Sequence, residues 1–230
     1  MTDREPLVRC DGASRTYGDG PTATVALEPV DCDVRARERI AIMGPSGSGK
    51  STLLHLMAGL DEPTLGTVSW PAIGPPEALR PGPVAVIFQG PSLLPPLTVA
   101  ENVALPLVLG GATEADAQER AAAALRRVGL IDVADKLPEE ISGGQAQRAA
   151  VARALAGRPR LILADEPTGQ LDHESGAVVV DVLLESADHA GAALVVATHD
   201  PDVADRLATR WRMRNGRLET TTHREASWSR

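Results

Sequence analysis

Residues 44–51 carry the pattern G-x-x-x-x-G-K-[ST]: Gly44, Pro45, Ser46, Gly47, Ser48, Gly49, Lys50 and Ser51. Glycines let the backbone curl around an anion with N–H groups turned inward. A lysine at the end of such a loop reaches the β and γ phosphates of a nucleotide, and the next hydroxyl holds Mg²⁺. By itself this loop fits a kinase, a GTPase or an ATPase. The second signal is Asp165-Glu166, two carboxylates that end the apolar run Leu161-Ile162-Leu163-Ala164. Placed at the carboxyl end of a strand, Asp165 would lie near the metal, directly or through water, and Glu166 would polarise an attacking water. Ser142-Gly143-Gly144-Gln145 offers a hydroxyl and open backbone N–H groups, which suits either a second anion site or a plain helix cap. His199 follows the apolar run 194–198, where a catalytic and a structural role are both open. Gln89, just past Phe88, carries no signal in isolation.

Those groups need elements to hold them. Residues 39–43 predict a strand running into the glycine loop, and 51–59 a helix with Leu53, Leu54, Leu56 and Met57 on one face. Short alternating runs at 7–10 and 24–27, split by the turn-rich 17–21, predict two strands joined by a hairpin or loop. Further strands are predicted at 67–70, 83–88, 160–164 and 192–197, and helices at 113–128, 145–156, 175–187 and 202–208. In the 113–128 helix, early Glu114, Asp116 and Glu119 and late Arg126 and Arg127 complement the dipole. The apolar run 93–109 is interrupted by Pro95, Pro96, Glu101, Asn102 and Pro106. The stretch 90–140 therefore looks like a helical insertion. A final hairpin is predicted around Asn215-Gly216, and from Glu219 the chain is polar and expected to fray. Strands alternating with helices predict an α/β fold, a mainly parallel sheet covered on both faces.

The 230 residues are 43% hydrophobic, enough for one domain with a sizeable core. A net charge of −8 excludes a broad basic nucleic-acid footprint, so no nucleic acid is expected as a partner. Two cysteines, Cys10 and Cys32, make neither a disulfide framework nor a zinc site, and reduced thiols are expected. No run of about 18 apolar residues exists to span a membrane, and residues 1–6 lack the apolar core of a signal peptide. The chain has one Tyr (Tyr17), one Phe (Phe88), three Trp (Trp70, Trp211, Trp228) and two Lys (Lys50, Lys136). Phe88 and the tryptophans are expected to pack or to lie on the surface, and Lys136 has no assigned role.

In this order the motifs resemble the ATP-binding subunits of ABC transporters, over essentially the whole of 7–218. The matching segments are 44–52 (Walker A), Gln89 (Q-loop), 141–145 (signature), 161–166 (Walker B), 169–172 (D-loop) and His199 (switch histidine). Residues 41–55, 88–89, 93–95, 98–103, 105–106 and 165–169 are similar to the lipoprotein-release and macrolide-export branch, which includes a cell-division ATPase. Departures are Ile141 for Leu at the head of the signature, Ala146 for a polar residue, Gln170 where Asn is frequent, and Gly90-Pro91 after Gln89. Residues 70–82 are also short and proline-rich where relatives have a polar strand and loop.

The resemblance implies a P-loop NTPase (RecA-like) core with a mainly parallel sheet, an N-terminal antiparallel β subdomain and an inserted α-helical subdomain. The implied parts are 1–89, 90–144, 145–218 and a polar tail at 219–230. It implies ATP and Mg²⁺ as ligands. Tyr17 would stack on adenine, and Gly44, Pro45, Ser46, Gly47, Ser48, Gly49, Lys50, Ser51, Thr52 and Asp165 would bind ATP. Glu166, His199 and Gln89 would be catalytic, with Ser51, Gln89 and Asp165 around the metal. Ser142, Gly143, Gly144 and Gln145 would cover the ATP of the opposite subunit in a head-to-tail homodimer, and Asp172 would couple the two sites. An integral membrane permease would be the partner, placing the chain on the cytoplasmic side of the cell membrane as a peripheral subunit. Export or lipoprotein release is the implied use; ATP-driven signalling through a membrane partner, without transport, is the alternative.

Overall fold

The computed structural model describes residues 5–223. β1 (Val8–Tyr17) runs antiparallel to β2 (Thr24–Val34), which sets Cys10 directly opposite Cys32. Both thiols are free, and the hydrogen bond between them together with burial pushes the Cys32 thiol up. β3 (Arg39–Met43) follows, then the glycine loop, then α1 (Lys50–Met57). β4 (Leu65–Ser69) returns to pair with β1, completing an antiparallel sheet of order β2-β1-β4. The proline-rich segment after it closes over the end of α1. Trp70 is buried and its Nε1 donates to Met57 O at 2.8 Å, while Arg80 donates to the carbonyls of Ala58 and Gly59.

The remaining elements are β5 (Val84–Ile87), α2 (Val99–Leu109), α3 (Glu114–Arg127), α4 (Gly143–Ala156), β6 (Leu161–Asp165), α5 (His173–Ala190), β7 (Ala193–Thr198), α6 (Pro201–Asp205), β8 (Thr209–Arg214) and β9 (Arg217–His223). The larger sheet has the order β5-β6-β7-β3-β8-β9, parallel except for the antiparallel β8–β9 hairpin. The α/β expectation therefore holds, with a second, antiparallel sheet at the N-terminal side. One expectation is corrected: the polar stretch after Glu219 does not fray at once, because β9 pairs with β8 as far as His223. Backbone pairing stabilises that segment whatever its side chains. Trp228 lies outside the described residues.

Strand alternation divides the core in two. On β6, Ile162 and Ala164 face one cluster, and Leu161 and Leu163 the other; β7 sorts Leu194 and Val196 from Ala193, Val195 and Ala197 in the same way. The first cluster is capped by the helices α2 to α5. The second holds α1 and the antiparallel sheet.

α2 was hidden by the interruptions in the apolar run. Thr98 starts it with a capping box: its hydroxyl accepts the Glu101 N–H at 3.2 Å, and the Glu101 carboxylate accepts the Thr98 N–H at 2.7 Å. Asn102, fully buried, does not break the helix. Its side chain instead pins the preceding loop, donating to Leu94 O, Leu97 O and Thr98 O and accepting from Leu94 N–H. Pro106 sits inside the helix, where it forgoes one backbone bond. α4 packs on α2 and α3 and also on β5 and α5, so it joins the helical layer to the sheet.

Candidate functional site

Three loops meet at the carboxyl ends of adjacent parallel strands: the glycine loop after β3, the turn after β6 and the turn after β7. The glycine loop is tightly backed. A Cβ at Gly44 would lie 2.3 Å from Met213 O and 2.6 Å from Ser48 Oγ; one at Gly49 would lie 2.6 Å from Ala26 O, at a φ of 99°. Only glycine fits either position. Gly47 has φ 73° and open space around it, so its requirement is conformational alone. The β8–β9 hairpin props the loop from below, with Gly216 N–H donating to Ser48 O at 3.0 Å and Glu28 N–H to Gly216 O at 2.8 Å. Pro45, Ser46, Gly47 and Ser51 stay exposed, and Thr52 is half-buried.

Lys50 opens α1 and is buried. Its Nζ donates to Gly44 O at 2.9 Å and Pro45 O at 3.2 Å, and stands 3.8 Å from Glu166 Oε1. The other carboxylate oxygen of Glu166, Oε2, is 2.9 Å from Nδ1 of His199. Glu166 has a φ of 46°, a left-handed conformation that costs a non-glycine residue about 1–3 kcal/mol. Its N–H donates to Ala197 O at 2.9 Å, and its carbonyl accepts Gly169 N–H at 3.0 Å. The carboxylate is thus held between a cation from α1 and an imidazole that is 70% exposed.

Asp165, one residue earlier, is buried, and its Oδ1 has no hydrogen-bond partner. The hydroxyl of Ser48 is buried and unpartnered as well. An unsatisfied buried polar atom costs about 1–3 kcal/mol, so both are suited to a ligand that supplies the missing partner. Among the described residues no three His, Cys, Asp or Glu side chains form a metal cage. That fits Mg²⁺, which is held by one or two protein oxygens with phosphate and water completing the shell. The residues present therefore suit the metal.

Tyr17, at the end of β1, is 41% exposed. Its hydroxyl donates to Asp61 Oδ2 at 2.8 Å, and the Arg15 guanidinium lies 4.7 Å from its ring centroid. Arg15 also clamps Asp61 in bidentate fashion, Nε to Oδ2 at 2.9 Å and Nη2 to Oδ1 at 2.7 Å. Neither Arg15 nor Asp61 stood out in the sequence, because their pairing crosses from β1 to the turn beyond α1.

Ser142 is the N-cap of α4: its hydroxyl accepts Gln145 N–H at 3.2 Å, and Gln145 Oε1 accepts Ser142 N–H at 2.9 Å. Both Ser142 and Gly143 are exposed, and a Cβ at Gly143 would meet nothing within 4 Å. A capped, open helix N-terminus of this kind accepts an approaching anion without rearranging. Asp172 caps α5, accepting Ser175 N–H at 2.9 Å and Ser175 Oγ–H at 2.8 Å, and these bonds hold its carboxyl below the usual carboxylate range. Gln89 follows β5 and is exposed. The fold thus brings Lys50, Asp165, Glu166 and His199 to one edge, while Ser142–Gln145 and Asp172 are each bonded at the start of their own helix.

A strand, a glycine loop and a helix at the carboxyl edge of a parallel sheet, facing an acidic strand end, define a P-loop NTPase. The family model for ABC transporters matches residues 27–169. The lipoprotein-releasing system ATP-binding protein LolD of Shewanella sp. (strain MR-4) is 42% identical over 223 residues, covering 94% of this chain and 96% of that protein. LolD of Legionella pneumophila (strain Lens) is 44% identical over 200 residues, covering 84% and 88%. A solved dimeric, post-hydrolysis state of the ATP-binding cassette MJ0796 bound to ADP and Pi superposes with a TM-score of 0.86 at 35% identity, covering 94% and 98%. The chain belongs to the ABC transporter family, as an ATP-binding and ATP-hydrolysing subunit.

Proposed function

We propose that this ATPase powers a separate membrane permease of the lipoprotein-release type, working as a head-to-tail homodimer on the cytoplasmic side of the membrane. The observation that best supports the catalytic reading is the Glu166 carboxylate held between Lys50 and His199 beside the unpartnered Asp165. In the reaction Glu166 orients and polarises the attacking water. Lys50 leaves the loop carbonyls and turns to the β and γ phosphates, which supply a better partner for its charge. His199 sits on the exposed side, where the γ-phosphate arrives. Ser51, Gln89 and Asp165 would hold Mg²⁺, which would neutralise phosphate charge there. Gly44 to Thr52 wrap the phosphates, and Tyr17 stacks on adenine. Ser142, Gly143, Gly144 and Gln145 reach the γ-phosphate of the opposite subunit, and Asp172 links the two sites.

The division into 1–89, 90–144 and 145–218 follows from the same reading. No helix among the described residues is long and apolar enough to cross a membrane. A groove of about 750 Å³ between β5 and α2, lined by Phe88, Leu105 and Leu109 together with the charged Arg80, Arg120 and Arg153, is the surface we assign to the permease. Its wall includes Phe88, the neighbour of Gln89, which ties the docking surface to the nucleotide site. The relatives named for a lipoprotein-releasing system support that branch.

The test is Glu166→Gln. This variant binds ATP, hydrolyses it about 10²–10⁴-fold more slowly and accumulates as a dimer in Mg-ATP on gel filtration. Near-normal turnover would remove Glu166 from its role, and the absence of a dimer shift would make the permease necessary for closure. Lys50→Ala loses most nucleotide affinity; unchanged binding would refute the loop assignment.

A further inference from the structure

The loop that carries Gln89 is held at both ends by a single helix, α4. Gln147 is 1% exposed, and its Nε2 donates to Phe88 O at 3.2 Å and to Pro167 O at 3.2 Å. Farther along α4, Arg153 donates through Nη1 to Ser92 O at 2.8 Å and through Nη2 to Pro91 O at 3.3 Å. Phe88 and Pro91 bracket Gln89-Gly90. Gln89 is exposed, and a side chain added at Gly90 would meet nothing within 4 Å. The segment is therefore fixed at its ends and unobstructed at its centre. The second acceptor of Gln147, Pro167, directly follows Glu166.

The chemistry of the amide shows what Gln147 is for. Both of its bonded neighbours are carbonyls, so its NH₂ must face them. Its Oε1 is left buried without a partner. A side chain kept only for packing would be apolar here and would avoid that penalty. The residue is suited to its two donors, and both are spent on the turns that flank Gln89 and Glu166.

α4 starts at the Ser142 cap and runs through 14 residues. A regular helix moves as one body, so a shift of the straps is a shift of its N-terminus. We propose that Gln147 and Arg153 are positioning residues that strap the Gln89 loop and the Glu166 turn to the signature helix. What Gln89 senses in its own nucleotide site is thereby passed to Ser142–Gln145, which face the nucleotide of the other subunit. This inference rests on the ATPase dimer proposed above. Both strap residues bond backbone carbonyls and are assigned no contact with nucleotide.

Gln147→Met keeps length and approximate bulk and removes both donors; Arg153→Met removes the guanidinium at a half-buried position, and Arg153→Lys restores a cationic donor group. The full chain of each is compared with wild type for kcat, KM and equilibrium affinity for a fluorescent ATP analogue. Each is also compared for Mg-ATP-dependent dimerisation in the Glu166→Gln background. In each Met variant kcat falls about tenfold while nucleotide affinity stays within about twofold, dimerisation needs more ATP, and Arg153→Lys recovers part of the loss. If Gln147→Met does not fold, Arg153→Met and its lysine rescue decide the matter. Met variants equal to wild type in kcat and dimerisation overturn the strap, as does a loss of affinity in step with kcat. A wild-type chain that neither hydrolyses ATP nor dimerises in the Glu166→Gln form refutes the underlying reading instead.

Discussion

Nδ1 of His199 lies 2.9 Å from Oε2 of Glu166, joining the residue just past β7 to the residue just past β6. The two strands are paired in register, with Asp165 opposite Ala197, so the sheet brings the two residues side by side. The imidazole fixes the rotamer of a carboxylate whose backbone is already constrained. Losing it frees the carboxylate more than it disturbs the phosphate loop. His199→Ala is expected to lower kcat about 10²-fold, with nucleotide affinity changed by less than about threefold. Steady-state kinetics paired with equilibrium nucleotide binding check this; a parallel loss in both would point to a binding role instead.

Gly49→Ala is expected to destabilise the whole domain. The added Cβ would approach Ala26 O to 2.6 Å at a φ of 99°. That combines a clash with an unfavourable backbone conformation, at a cost of about 2 kcal/mol or more. Gly47→Ala has no clash and pays the conformational part only. Denaturant unfolding of the two variants should rank Gly49→Ala as the more severe.

The Tyr17 ring is set by Asp61 and Arg15, so both should matter for nucleotide affinity although neither is proposed to touch the base. Tyr17→Ala is expected to weaken binding of the fluorescent analogue about tenfold, and Asp61→Asn or Arg15→Ala by less. Retained affinity in Tyr17→Ala would remove the stacking role.

The same trio has a pH signature. Burial would raise the Asp61 carboxyl, but the Tyr17 hydroxyl, the Glu62 N–H and the Arg15 guanidinium outweigh it and hold it below the usual range. For a depressed carboxyl the contribution is complete above the unfolded value of about 3.9 and disappears as pH falls through the lower folded value. The stability difference between wild type and Asp61→Asn should therefore be constant above about pH 5 and shrink below about pH 4. Unfolding curves across that range measure it.

Lys50 was legible from its glycine-loop pattern, and Asp165, Glu166 and His199 were placed by the apolar runs before them, since such runs end at one edge of a parallel sheet; the role of His199 came from the resemblance. What could not be read was the order of strands. β3 lies between β7 and β8, and no local pattern encodes a pairing between segments so distant in the chain. α2 was obscured by prolines that precede its cap and by Asn102, whose polarity serves the loop rather than the helix surface. Arg15 and Asp61 resemble ordinary surface charges until β1 and the α1 turn are juxtaposed. Gln147 looked like one more polar residue in an alanine-rich helix; only its burial between two carbonyls separates it from its neighbours.

The hairpin beneath the glycine loop has a consequence for synthesis. Residues 44–49 leave the ribosome well before the atoms that shape their cradle, Met213 O and Gly216 N–H, which belong to the β8–β9 hairpin. Until that hairpin docks, the loop has no floor against which Gly44 and Ser48 can settle. Nascent chains should therefore be unable to grip nucleotide until translation has passed Gly216, so ATP capture would follow the docking of this hairpin rather than nucleate the fold around the loop.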